Sequence, residues 1–475
     1  MPPPRPSQTA LSLLAQFAGF ALLLFATRFL AQGHLAVQTD ETCHLGAIAV
    51  DVLAHGVRFP LPAYAPVEYN NGSLVSGVLD AGLFALLGRR VLTLKLLPLL
   101  VWAAGAVACV ALLRRGLDEL DVRDGWARGA GVAAVVIGLA LAPTGVTVES
   151  MATVGLGSPA EGTPMNIVLL ALFASGWARR AAWRTALLWA LIGAVFYVNK
   201  GTLLVLPVLA VAQLLLARRA PARLAAAAVG FALGELLDVL RLIERGSLGW
   251  ATIADTAQRH AVNFPYAMFD SLLTLAGFRP ALLTAWGLAL LGGSALLWRT
   301  TTRWRAAGGA PQRAPLALGL IGGVAWLHLA MLSVMARGGF DAYALYGYPT
   351  LVLLVSIAVA WLCARAIAQW GMAGGRAAAL AMLSVLLVLH RPEALAWGGP
   401  AVVELWHDRD GAACSWHLAE GFEREGRLGM VGRDPAADAH VIARCRSLVG
   451  EDQVLDCIGG IARTMQVRRG DRIGG

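Results

Sequence analysis

Apolar runs approaching the roughly 20 residues that a helix needs to cross the hydrocarbon core of a bilayer recur along this chain from Leu11 to Trp397. In hydrocarbon each backbone group must be paired within the protein, and continuous apolar runs of this length achieve that as helices rather than as barrel strands. The composition agrees, with 57% hydrophobic and only 15% charged residues, well away from an ordinary soluble domain. The expected fold class is an all-α polytopic membrane protein.

Eleven spans are expected, at 11–31, 92–113, 128–146, 164–178, 184–199, 201–217, 222–240, 281–298, 315–335, 347–364 and 376–397. The segment 73–88 is shorter, holds Asp80 and is followed by Gly-Arg-Arg. It is expected to be a helix lying in the interface. The N-terminal span reads as an uncleaved signal anchor, because its apolar stretch is long for a signal peptide and Arg28 interrupts the cleavage side.

A formal net charge of +9 invites a nucleic-acid reading, but the arginines fall in short clusters between apolar runs, where the positive-inside rule places them. With the N-terminus in the cytoplasm, the inside loops are "RRGLDELDVRDGWAR", "RRAAWR", "RRAPAR", "RTTTRWRAAGGAPQR" and "ARAIAQWGMAGGR", holding four, three, three, four and two arginines. The outer segments carry Asp40, Glu41, Glu68, Glu149, Glu161, Asp255, Asp270 and Asp341. This topology implies an inner (plasma) membrane protein with a membrane domain over 1–397 and a small extracytoplasmic C-terminal domain over 398–475. In that tail, Cys445 and Cys457 flank a Gly-Glu-Asp turn in "CRSLVGEDQVLDC" and are expected to pair in an oxidising compartment. Cys43 and Cys414 are a second pair or free thiols, whereas Cys109 and Cys363 fall inside spans and read as apolar fillers.

Adjacent carboxylates at a membrane exit are a functional-site hypothesis by default. Asp40 and Glu41 stand there in "VQTDETCHLGAIAVDVLAHG". A second account makes them a helix start, with Asp40 as N-cap. Both accounts stand on these residues alone.

The stretch "TDETCHLGAIAVDVLAHGVRFP" followed by "YNNGSLVSGVLDAGLFALLGRRVLTLKLLPLL" resembles the first outer loop and following helices of the GT-C membrane glycosyltransferases, in the protein O-mannosyltransferase and aminoarabinose transferase branch. "GAVFYVNKGTLLVLPVLA" is similar to that family's Lys-Gly helix junction, and "YALYGYPTLVLLVSIAVAWL" to its Tyr-rich start of a late span. The resemblance covers most of 11–397 and implies a GT-C-like bundle of about 11 transmembrane helices, with amphipathic helices on its outer face and a small soluble tail. It also implies transfer of a hexose or pentose from a polyprenyl-phosphate donor to a lipid, glycan or protein acceptor outside the membrane.

That chemistry needs a base for the acceptor hydroxyl, and the resemblance points to Asp40, with Glu41 orienting the acceptor or helping to bind a divalent metal. Metal use stays open, because branches of the family differ. A second acidic residue is expected in "TVESMATVGLGSPAEGTP", where Glu149 and Glu161 are equal candidates; the family's commoner Arg-and-Asp pattern is absent there. Of 39 basic residues only Lys95 and Lys200 are lysines, and both lie at expected outer ends of spans. A compact ammonium suits a phosphate as a point charge, and the alternative for each is snorkelling to the interface. Arg259 and Arg337 are further phosphate candidates. Arg241, Arg245, Arg279, His260 and Tyr266 share the loop 241–280 with Arg259 and would cover the donor or contact headgroups.

Tyr343, Tyr346 and Tyr348 in the late loop are candidates for sugar contact or for an aromatic belt, and His44 for a helix-face residue beside the site. His34, His44 and His55 form no recognisable metal spacing. A transporter or flippase of lipid-linked substrates is the rival class, with a catalytically inactive scaffold as a third reading. Against the transporter, no internal repeat is evident and the acidic residues gather on one side.

Overall fold

A computed structural model of the chain describes residues 6–31, 73–141, 159–218, 220–236, 280–306, 315–335 and 347–390, with isolated positions at 46, 48, 49, 52, 53, 56, 57, 238, 240, 308, 400, 402, 403, 439, 442, 443 and 446. Among these residues all regular structure is helical. The α-helices are α1 (Pro6–Leu24), α2 (Ser73–Leu87), α3 (Val91–Glu119), α4 (Gly125–Ala140), α5 (Pro159–Ala174), α6 (Ala182–Val198), α7 (Leu206–Ala217), α8 (Pro221–Gly234), α9 (Pro280–Ala306), α10 (Leu316–Met335) and α11 (Tyr348–Leu389). Among the described residues three stretches, Ala10–Ala31, Leu92–Glu119 and Tyr348–Leu389, are long and apolar enough to cross a membrane. The chain is a helical membrane protein.

One boundary differs from those read in the sequence. The expected spans 347–364 and 376–397 are not separated by a loop. Helix runs on both sides of a single break at Gly371, which takes φ 74° and ψ −175°, a conformation that strains any side-chain-bearing residue. Beyond it the chain folds back, and Cys363 Sγ donates to the Gly375 carbonyl at 3.4 Å. The tight reversal is possible because Gly375 meets Ile367 with no room for a Cβ.

Helix α2 covers the expected segment 73–88; it packs against α3 and buries Ser76, Asp80 and Phe84 at a spacing of four. Asp80 is 1% exposed, so it faces protein. Leu79 and Leu86 on the other side are exposed.

Helices α6 and α8 run parallel and approach closely. Gly230 stands against Ala186, and Gly234 against Ala190 and Gly193, in each case so near that a Cβ would overlap backbone atoms. Gly230-Phe-Ala-Leu-Gly234 is a small-residue motif of the kind that lets helix backbones approach where lipid supplies no hydrophobic drive for association. Helix α4 packs antiparallel along the first arm of α11, with Gly131 against Ser356 and Ala360, and Gly138 against Val352.

The alternation of helix direction gives the bundle two chemically different ends. At one end lie the arginine-rich connections. Arg376 stacks over the Trp126 ring at 4.7 Å. Burial, then the neighbouring Arg115 and Arg223, push the Arg179 guanidinium below its ordinary pKa, while Glu119 opposes them. Asp124 caps α4, accepting from Trp126 N and Ala127 N at 2.9 Å.

Glu119 at the end of α3 caps a helix 197 residues away in sequence. Its Oε1 accepts from Leu316 N at 2.9 Å and Ala317 N at 2.8 Å, and its Oε2 from Leu318 N at 3.0 Å. Three otherwise unpaired donors of the α10 N-terminus meet a carboxylate where the helix dipole favours negative charge. Glu119→Ala is expected to cost about 2 kcal/mol, read as a lower Tm in detergent. Glu119→Gln, which keeps an acceptor, is expected to cost less.

Candidate functional site at the polar end of the bundle

The opposite end gathers most of the buried polar residues among those described. Arg28, Lys95, Thr163, Asn166, Asn199, Thr202 and His328 are all at most 2% exposed. They belong to the last turn of the first helical segment, the start of α3, the start of α5, the α6–α7 junction and the later half of α10. Polar side chains cost free energy in such surroundings unless partnered. Arg28, Lys95, Thr163, Asn199 and His328 each have an interaction within the protein.

Arg28 and Tyr348 show how this end is tied together. Arg28 sits in the π-helical segment Phe25–Ala31 and donates Nη2–H to the Leu139 carbonyl at 3.3 Å. Tyr348 donates its hydroxyl to the adjacent Gly138 carbonyl at 2.5 Å. Two residues 320 apart in numbering thus reach consecutive carbonyls in the last turn of α4, where a cation also complements the negative helix end. The Tyr348 ring packs edge-on against Trp286, with centroids 5.8 Å apart. Gly347 lies so close to the His328 ring that no side chain fits there. Tyr348 is therefore a packing and hydrogen-bonding residue, which corrects its grouping with Tyr343 and Tyr346 as a sugar contact.

The α6–α7 junction brings two of the candidate segments together. Asn199 leaves α6 in an extended conformation (φ −145°, ψ 107°). Its carbonyl accepts from Thr202 N at 3.0 Å, and the turn Lys200–Leu204 follows. Gly162, in the first turn of α5, lies directly against the Asn199 side chain, where a Cβ would overlap it. Glu161 precedes Gly162 and Lys200 follows Asn199, so these two candidates occupy neighbouring backbone at one contact, which α5 also makes with the Lys200–Leu204 turn. Only a glycine at 162 permits that approach.

Lys95 lies in the second turn of α3 and has no exposed surface. Its head is enclosed by protein, whereas a snorkelling lysine would keep its head exposed. Asp40, Glu41, His44, Glu149, Arg259, Arg337, Tyr343, Tyr346, Cys445 and Cys457 lie outside the described residues, as do Arg241, Arg245, His260, Tyr266 and Arg279. Cys109 and Cys363 are free and buried. Among the described residues no group of three or more His, Cys, Asp or Glu side chains is placed to hold a metal.

No functional role follows from the sequence alone for Arg28, Asn166, Asn199 or His328. The signal was available for Arg28 and His328, since an ionisable residue within an apolar run marks a site by default. Asn166 and Asn199 carry no charge and are too ordinary in type to stand out.

No protein-family model matches the chain, and no curated protein matches it. Among solved structures the chain is similar to the crystal structure of ArnT from Cupriavidus metallidurans bound to undecaprenyl phosphate, at 17% identity over 92% of this chain and 81% of that one, with a TM-score of 0.49.

Proposed function

We propose that the protein is an inner-membrane glycosyltransferase that passes a sugar from a polyprenyl-phosphate donor to an acceptor at the outer face. The observation that carries this reading is the meeting of the Glu161–Gly162 and Asn199–Lys200 segments at the polar end of a helical membrane bundle. Asn199 and Lys200 fall in one of the two places where the sequence resembles the GT-C enzymes beyond its first loop, and Glu161 and Gly162 fall in the outer loop where a second acidic residue is expected. Lys95, buried at the start of α3, belongs to the resemblance in that first loop.

In the reaction the acceptor oxygen attacks the anomeric carbon while its proton passes to Asp40. The bond between that carbon and the phosphate oxygen breaks, with inversion, and polyprenyl phosphate leaves with the electron pair. Glu41 orients the acceptor or would help to hold a divalent ion, and one of Glu149 and Glu161 is the second acidic residue, facing Asp40 from the next outer loop. Lys95, Lys200, Arg259 and Arg337 offset the charge of the donor phosphate and the leaving group, and His44, Tyr343 and Tyr346 contact the sugar. The isoprenoid chain stays in lipid. The arginine-rich end faces the cytoplasm, and the tail, with a Cys445–Cys457 bridge, lies outside.

The test is sugar transfer from a radiolabelled polyprenyl-phosphate donor by purified, reconstituted protein, with and without a chelator, beside a donor-binding assay. Lys200→Ala is expected to weaken donor binding roughly tenfold or more, since a charged hydrogen bond contributes about 1.5–3 kcal/mol. Its effect on kcat should be smaller, because the contact already exists in the ground state. Donor binding unaffected by Lys200→Ala would remove it from the phosphate site, and wild-type protein inert toward every donor would favour the scaffold reading.

A further inference from the structure

The arginine-rich end holds a cavity of about 650 Å³ between α9, the first arm of α11, the α3–α4 turn and the start of α10. It lies at the opposite end of the bundle from Lys95 and the contact between the Glu161–Gly162 and Asn199–Lys200 segments. We propose that it binds the phosphate headgroup of an anionic phospholipid.

The cationic wall has two faces. Arg299 and Arg303 are one helical turn apart on α9, with Trp304 beside them, and Arg365 stands one turn after Trp361 on α11. Arg365 stacks over the Trp361 ring at 5.7 Å, which holds its guanidinium in place. Among the described residues no carboxylate pairs with Arg299, Arg303 or Arg365. Two guanidiniums at this helical spacing repel each other, and an anion seated between the helices relieves that repulsion.

The cavity also holds Glu119, Asp121 and Asp124, and each has a partner inside the protein. Glu119 accepts from the three backbone donors that open α10, and Asp124 caps α4. Asp121 pairs with Arg123 at 2.7 Å. Their charge is thus directed at helix ends and at Arg123, while the three remaining arginines point to an outside anion.

A lipid is favoured over a dissolved phosphate by what adjoins the cavity. Leu288, Leu291 and Trp298 form an exposed stripe on α9 that ends beside Arg299. Their spacings of three and seven place them on one face. That face suits acyl chains, and a tryptophan at its end suits the headgroup level, where such rings collect.

The experiment titrates purified protein in detergent with phosphatidylglycerol and reads retained lipid by native mass spectrometry and the rise in Tm. Phosphatidylcholine of the same chain length and inorganic phosphate are the comparison arms. Phosphatidylglycerol is expected to bind, and Arg299→Gln, Arg303→Gln and Arg365→Gln to weaken it roughly fivefold each, the scale of one basic residue near an anionic headgroup. All three residues are exposed, so lipid-free Tm should stay at the wild-type value. Arg180→Gln and Arg223→Gln, at the same end but outside the cavity, should leave binding unchanged. Equal retention of phosphatidylcholine, displacement by inorganic phosphate, or equal weakening by the two control variants would each overturn the proposal.

Discussion

Asp40→Asn is expected to lower sugar transfer by about 10²–10⁴-fold, the usual contribution of a positioned general base, while folding and donor affinity stay near wild type. Asparagine preserves the volume of the side chain and can still cap a following helix, but it cannot take a proton from an acceptor hydroxyl. The measurement is single-turnover transfer in proteoliposomes beside equilibrium donor binding. Transfer near the wild-type rate would reduce Asp40 to a helix cap and move the base elsewhere in the outer acidic set. A parallel loss of donor binding would instead place its charge in the donor site. The contrast with Lys200→Ala separates a residue needed in the transition state from one that acts on the bound donor.

Gly230→Leu is expected to destabilise the protein by more than about 3 kcal/mol, at the upper end of what overpacking costs. The new side chain would have to enter the space of the Ala186 carbonyl and Cα, and backbone in the middle of a packed helix cannot rotate aside as a side chain can. Lost Tm, lost yield and aggregation in detergent are the readouts. Gly287→Leu on α9 is the control, because nothing lies within 4 Å of a Cβ placed there. It should behave like wild type or gain slightly from the better helix propensity of leucine. Equal tolerance at both positions would mean that α6 and α8 can separate without penalty.

The sequence determined the class of the fold, because the length of an apolar run is a local property and the bilayer demands helices of that length. It also located the clusters of arginine between runs, the helix junction at Asn199–Lys200 and the burial of Cys109 and Cys363. It could not say which face of each helix meets protein. In a soluble chain the apolar face is the packed face, but here lipid and protein interior are both apolar, so Leu291 is exposed while Leu290 beside it is buried.

Tertiary structure decided every feature that needs two distant segments. Asp80 is a buried carboxylate because α2 turns it toward protein, and Glu119 is a cap because α10 begins beside it. Arg28 and Tyr348 meet at one helix end, and the Glu161 and Lys200 segments become neighbours only because Gly162 lets α5 approach Asn199. With little hydrophobic drive to bring helices together in a membrane, close backbone approach at glycines and paired polar groups select the packing. Those pairings depend on residues far apart in the chain, and no local pattern announces them.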